Sequence, residues 1–226
     1  MTETGELFEL PARPMLELSE PRLDRGPINC AVLLSGSGRT LENLLVVITR
    51  GGLKCAIRAV MSSKPDVRGL RVAADAGLPA FVVQRQSFAS DLEYSAAIYE
   101  ELRPFDPELI LLCGFLRKLV VPAAFEGRIL NIHPALLPES AAGGKGLYGD
   151  RVHAAVLASN ATRSGATVHV VDNGYDTGPV ILRATVPVLP DDTPASLASR
   201  VFEAECALYP AAIRRYVSTR GDLFGG

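Results

Sequence analysis

The 226-residue chain has no tryptophan, only three histidines and four cysteines, and an aromatic content of 6%. Cys30, Cys55, Cys113 and Cys206 are scattered, form no C-x-x-C, and have no histidine near enough to complete a zinc motif. They are expected to be buried free thiols of a reducing compartment, with no metal bound. Charge of one sign is also lacking, because 23 Lys and Arg face 25 Asp and Glu, a formal net charge of −2. That balance gives no general reason for a nucleic-acid partner. No apolar run approaches the roughly 20 residues of a membrane span. The opening Met1-Thr-Glu-Thr-Gly-Glu6 lacks the basic start of a signal peptide. These absences lead to the expectation of a cytoplasmic protein that works on small molecules, with no membrane and no nucleic acid as partner.

What is present is an ordinary folding composition, 48% hydrophobic and 21% charged. So apolar a chain offsets its ordering entropy by burial, which excludes a long disordered protein. Residues 1–27 carry four prolines and no confident strand, and are expected to be a surface strap or flexible extension without chemistry. The body is expected to span 28–219 as one domain, with 220–226 as a tail.

From Asn29 onward, strands alternate with helices. The apolar run Cys30–Leu34 is followed by Ser35-Gly-Ser-Gly38. A helix then carries Leu41, Leu44, Leu45 and Ile48 on one side and stops at Gly51-Gly52. Further strands are expected at Ala56–Met61, Phe81–Val83, Leu109–Leu112 and Arg128–Asn131, with helices around Leu70–Ala73 and from Tyr94 to Leu102. This is the pattern of βαβ units in an α/β fold, doubly wound on a mostly parallel, Rossmann-like sheet. The C-terminal half is less regular. Val152–Ala158 reads as helical, and Ala166–Val171 and Val180–Val188 as two strands around a turn at Asn173-Gly174. Together they form an antiparallel extension of the sheet. Thr193 opens a last helix with Leu197, Val201 and Ala204 on its inner face, preceded by Asp191-Asp192 as turn and cap.

Three constellations could carry chemistry. Gly36, Ser37, Gly38, Arg39 and Thr40 lie between a buried strand and a helix start, where freed amides favour a phosphate. Ligand-free glycine-rich turns are equally common, and Arg39 is either a fork donor to an anion or a solvated first-turn charge. The dinucleotide fingerprint is incomplete, since Leu41 stands where its third glycine would fall. Asn131-Ile-His133-Pro134 ends a buried strand, and an extended backbone turns Asn131 and His133 to one side. An amide beside an imidazole suits a carbonyl oxygen that gains charge while a proton moves. A satisfied structural histidine is the competing reading. Asp176 could orient that imidazole and favour its charged form, or merely stabilise the turn before Gly178-Pro179. His153 could line the same site, whereas His169, within a strand, is expected to be structural.

Taken in order, Ser-Gly-Ser-Gly, Cys113-Gly-Phe-Leu-Arg117, Asn131-Ile-His-Pro-Ala-Leu-Leu-Pro138 and Tyr175-Asp-Thr-Gly-Pro-Val-Ile181 resemble the folate-dependent formyltransferases, over about Asn29 to Tyr216. The resemblance implies formyl transfer from 10-formyltetrahydrofolate, a co-substrate, to the amine of glycinamide ribonucleotide in purine synthesis. Asn131, His133 and Asp176 would then be catalytic. Gly36 to Thr40 would hold the ribotide phosphate, and Glu205 would contact the ribotide. The backbone of Leu116, Arg117, Lys118 and Leu119 would bind the pterin, with Asn173, Gly174 and Tyr175 closing over it. Two departures stand out against the family pattern: Gly36-Ser-Gly-Arg-Thr40 in the phosphate loop, and Asp91, with Arg85 close by, where a basic residue is usual. Lys145, in a glycine-rich loop, either reaches a phosphate or is solvated. Another acceptor amine, such as an amino sugar nucleotide, or a non-catalytic relative that binds nucleotide or folate, remains an alternative.

Overall fold

The computed structural model describes residues 7–8, 26–138 and 149–220. Most of the expected N-terminal extension, the loop holding Lys145 and the tail beyond residue 220 lie outside the described residues.

The strands along the chain are β1 (Leu7–Phe8), β2 (Ile28–Leu34), β3 (Cys55–Ser62), β4 (Ala80–Val82), β5 (Leu109–Leu112), β6 (Ile129–His133), β7 (Arg163–Val170) and β8 (Val180–Pro187). The helices are α1 (Arg39–Thr49), α2 (Arg68–Asp75), α3 (Asp91–Leu102), α4 (Asp150–Ala158) and α5 (Pro194–Thr219). One sheet holds these strands in the order β1-β8-β7-β6-β5-β2-β3-β4. From β4 to β6 every pairing is parallel, and β7 and β8 then run antiparallel. The α/β sheet with an antiparallel extension is therefore as expected. Two details differ from the sequence reading. Leu7–Phe8 adds a short parallel strand beside Arg183–Ala184, and β7 and β8 are joined by a nine-residue loop, 171–179, rather than a tight turn. That loop is held by its own polar groups and by a neighbouring segment, which residue types alone do not reveal.

The central strands alternate between two cores, as a pleated strand must. Cys30, Val32, Leu34, Leu109, Leu111, Leu130 and Ile132 pack under α1, α2, α4 and α5. Ala31, Leu33, Ile110, Leu112 and Ile129 face α3. Asn131 and His133 share the parity of Ile129, so they emerge on the α3 side at the carboxyl end of β6. Parallel strands buried on both faces read as continuous apolar runs, which is why these segments were visible in the sequence.

The long helix α5 is fixed at its start and its middle. Thr193 accepts from the Ser196 amide, Ser196 returns a bond to the Thr193 amide, and Asp192 pairs with Arg200 at 2.7 Å. Hydrogen bonds from Arg200, the Leu189 amide and Ser196 hold the Asp192 carboxyl well below the usual carboxylate range. Farther along, the buried Tyr209 hydroxyl donates to the carbonyl oxygens of Leu130 at 3.0 Å and Leu112 at 3.3 Å. Leu112 ends β5 at the cleft described next, and Leu130 lies on the neighbouring β6. Replacing Tyr209 with Phe is expected to cost about 1–2 kcal/mol, read from the urea midpoint. An unchanged midpoint would show that the hydroxyl does not anchor α5.

Candidate functional site

The carboxyl ends of the parallel strands open onto a cleft of about 740 Å³, where open α/β sheets place their ligands. Its floor at β6 and β7 is set by strand register. Asn131 stands opposite His169, and His133 opposite Thr167. The 171–179 loop then folds back over these positions. Asp172 organises it by accepting from the Gly174 amide at 2.9 Å and the Thr177 hydroxyl at 2.8 Å. Asp176 adopts a left-handed backbone, φ 55°. Its carboxylate lies between two imidazoles, Oδ2 at 3.5 Å from His133 Nδ1 and Oδ1 at 3.5 Å from His169 Nε2. The two histidine side chains are almost wholly buried, and Asp176 retains 17% exposure toward the cleft. Placed there, the carboxylate can orient the His133 ring from the loop side.

At one end of the cleft lies the glycine-rich turn. Gly38 takes φ 73°, and a Cβ there would come within 2.5 Å of the Gly69 Cα, so only glycine lets this turn sit against α2. The carbonyls of the turn are engaged. Gly36 accepts from the Gly69 amide at 3.0 Å and Ser37 from Arg68 at 3.0 Å. No side chain caps α1, so its first amides lack an intrahelical partner and suit an anion. Arg39 is not simply solvated. Its guanidinium lies 3.6 Å from the centre of the Phe202 ring on α5, a cation–π stack that fixes its plane. Glu205, one helical turn beyond Phe202, also lines this end. Burial pushes its carboxyl up to about 7, opposed in part by the Arg39 charge.

The opposite wall is Leu116, Arg117, Lys118 and Leu119, facing Gly174 and Tyr175. Leu116 and Tyr175 are exposed apolar groups, at 39% and 41%, and the Lys118 ammonium sits 5.2 Å from the Tyr175 ring centre. The two ends are joined by Ser35, whose buried hydroxyl accepts from the Leu116 amide at 2.9 Å and meets the Ser63 hydroxyl at 2.6 Å. Asp91, which stands where a base was expected, holds Arg85 at 2.6 Å, and both line the cleft.

Of the described residues for which the sequence suggested a site role, all but Asn173 line this cleft. The Asn173 side chain is engaged elsewhere, accepting from the Val121 amide at 2.8 Å and donating to the Val121 carbonyl at 3.3 Å. It braces the loop instead of facing a ligand. His153 also lines the cleft, while Lys145 falls outside the described residues. His169 corrects the sequence reading. Expected to be structural within its strand, it also lines the cleft and meets Asn131 Nδ2 at 3.1 Å and Asp176. Only the register of β6 with β7 reveals this. Phe202 was also missed, although its position three residues before Glu205 puts both on one helical face. Among the described residues, no cluster of three or more His, Cys, Asp or Glu is placed to hold a metal, and no helix is long and apolar enough to cross a membrane.

Residues 28–213 match the sequence profile of the family described as formyl transferase. The trifunctional purine biosynthetic protein adenosine-3 of Drosophila melanogaster is 40% identical over 193 residues, covering 83% of this chain; the chain spans only 14% of that longer protein. The phosphoribosylglycinamide formyltransferase of Haemophilus influenzae is 34% identical over 193 residues, 84% of this chain and 87% of that protein. The crystal structure of glycinamide ribonucleotide transformylase 1 from Symbiobacterium toebii superposes with a TM-score of 0.79 at 36% identity, covering 86% of this chain and 89% of that one.

The raised Glu205 carboxyl makes a stability prediction. The folded chain holds this proton up to about pH 7, whereas an unfolded Glu releases it near 4.3. Stability is therefore complete below the unfolded value and falls as pH rises to about 7, by up to about 3 kcal/mol. Glu205→Gln should lack this decline. The difference in urea midpoint between variant and parent is expected to grow in the variant's favour from pH 5 to pH 8. Parallel profiles would refute the assignment.

Proposed function

The chain is a member of the formyl transferase family, and from that premise we propose that it moves the formyl group of 10-formyltetrahydrofolate onto the amine of glycinamide ribonucleotide, a step of purine synthesis. The observation that carries the proposal is the convergence of Asn131, His133 and Asp176 in one cleft, with the Asp176 carboxylate 3.5 Å from the His133 ring. The match along most of the Haemophilus protein, whose name gives that activity, supports the choice of acceptor.

The two ends of the cleft suit the two substrates. The uncapped start of α1 and the stacked Arg39 fork offer amide and guanidinium donors to a ribotide phosphate. At the other end, Leu116 and Tyr175 leave apolar surface open, as a flat pterin ring requires, and Leu119 and Gly174 complete that wall. Glu205 lies on the ribotide side, where its carboxyl can accept from the substrate.

Between the ends, the attacking amine adds to the formyl carbon and the carbonyl oxygen takes up negative charge. Asn131 donates an amide N–H to that oxygen, and protonated His133 adds a second donor and a compensating charge. Asp176 keeps His133 protonated and oriented. As the tetrahedral centre collapses, the C–N bond to the folate breaks and the proton lost by the amine passes to the departing nitrogen. Both donors are preset by the strand and the loop, so little reorganisation accompanies the charge build-up. This chemistry is carried by polar side chains and the two substrates.

A steady-state assay with glycinamide ribonucleotide and 10-formyltetrahydrofolate tests the reading. The parent chain should turn over. Asn131→Ala should lower kcat by roughly 10²–10³-fold, and His133→Ala should abolish measurable turnover while folding and folate binding persist. A folded parent chain that binds both substrates without product would remove the proposal.

A further inference from the structure

We infer that His169 is a positioning residue for the reaction, setting the direction in which Asn131 presents its amide. The inference rests on the functional reading above and deepens it. The local hydrogen bonds determine the tautomer. His169 Nδ1 lies 2.9 Å from the Val170 carbonyl oxygen, and a carbonyl only accepts, so Nδ1 carries the proton. In the neutral ring Nε2 then offers a lone pair. The group facing it at 3.1 Å is Asn131 Nδ2, which donates one of its two hydrogens there. The second hydrogen is left for the cleft.

An asparagine amide is nearly symmetric in shape, and without a directing partner it can turn its oxygen or its nitrogen to the substrate. Only the nitrogen stabilises an oxyanion; the oxygen repels it. The His169 lone pair selects the productive orientation, because the reversed amide would set an oxygen against it. Asp176 reinforces the selection. Its Oδ1 is 3.5 Å from the same Nε2, and the negative field favours amide hydrogens over the amide oxygen on that side. His169 is itself immobile, 3% exposed and paired in register with Asn131 across β6 and β7. The orientation of the oxyanion donor is thus inherited from strand pairing through one imidazole. His169 touches neither substrate in this account. Its contribution belongs in kcat, with little effect on KM.

Side-chain length supplies the test. In His169→Asn the amide reaches only the Nδ1 position, keeping a partner for Val170 and losing the one for Asn131. In His169→Gln the side-chain oxygen reaches the Nε2 position and can accept from Asn131. The full-length chain carrying each substitution, and Asn131→Ala alone and combined with His169→Asn, should be assayed for kcat and KM, with circular dichroism and folate binding to monitor the fold. We expect His169→Asn to lower kcat at least tenfold with KM changed less than threefold. His169→Gln should recover most of that loss. Adding His169→Asn to Asn131→Ala should cost less than a further threefold, since the positioned group is already gone. Full kcat in a folded His169→Asn chain, a loss confined to KM, or losses that multiply in the double variant would overturn the role while leaving the formyl transfer reading intact. An Asn131→Ala chain with parental kcat would overturn that reading itself, and this inference with it.

Discussion

The antiparallel pairing of β6 with β7 is the constraint on which the cleft depends. A parallel neighbour would need a crossover before it could return beside β6. The antiparallel strand brings His169 directly against Asn131 and delivers the 171–179 loop to the same end of the sheet. A shift of one residue would turn His169 to the opposite face and carry Asp176 away from His133. The geometry of three polar groups therefore follows from an apolar register. Leu130 and Ile132 on β6, and Val168 on β7, are committed to the core under α5, and the residues between them are committed to the cleft.

Charge along the cleft is arranged by local partners rather than by composition. Arg39 is held on an aromatic face, Arg85 by a carboxylate, and Lys118 over Tyr175. Each cation is thereby held near one region of the wall by a local partner. Glu205 is the opposite case, a carboxyl whose ionisation burial delays to about pH 7. The chain is balanced overall, yet its interior surface is patterned from one end to the other.

The sheet was legible because its central strands are uniform apolar runs and its helices end at glycine or open on a cap. Gly51 and Thr193 mark the boundaries where sequence reasoning put them. Asn131 and His133 were legible as a same-side pair because two-residue spacing in a strand needs no tertiary knowledge. Asp176 was recognised by motif, although its partnership with two histidines depends on a left-handed residue in a long loop. His169 could not be identified in advance, since a histidine within an apolar strand has no sequence mark of what stands opposite. Asn173 shows the converse. The family resemblance implied that it closes over the pterin, whereas its amide serves the Val121 backbone. Phe202 acts through Arg39, a partner far away in the chain, and residue type alone did not announce it.

The hydroxyl of Ser35 has a further consequence. A single oxygen meets both the Leu116 amide and the Ser63 hydroxyl, while its own backbone leads directly into Gly36 and the glycine-rich turn. The loops that follow three different strands thus share one fulcrum. The segments at the two extremities of the cavity are thus tied to a common oxygen, and a substitution that removes it would untether both at once.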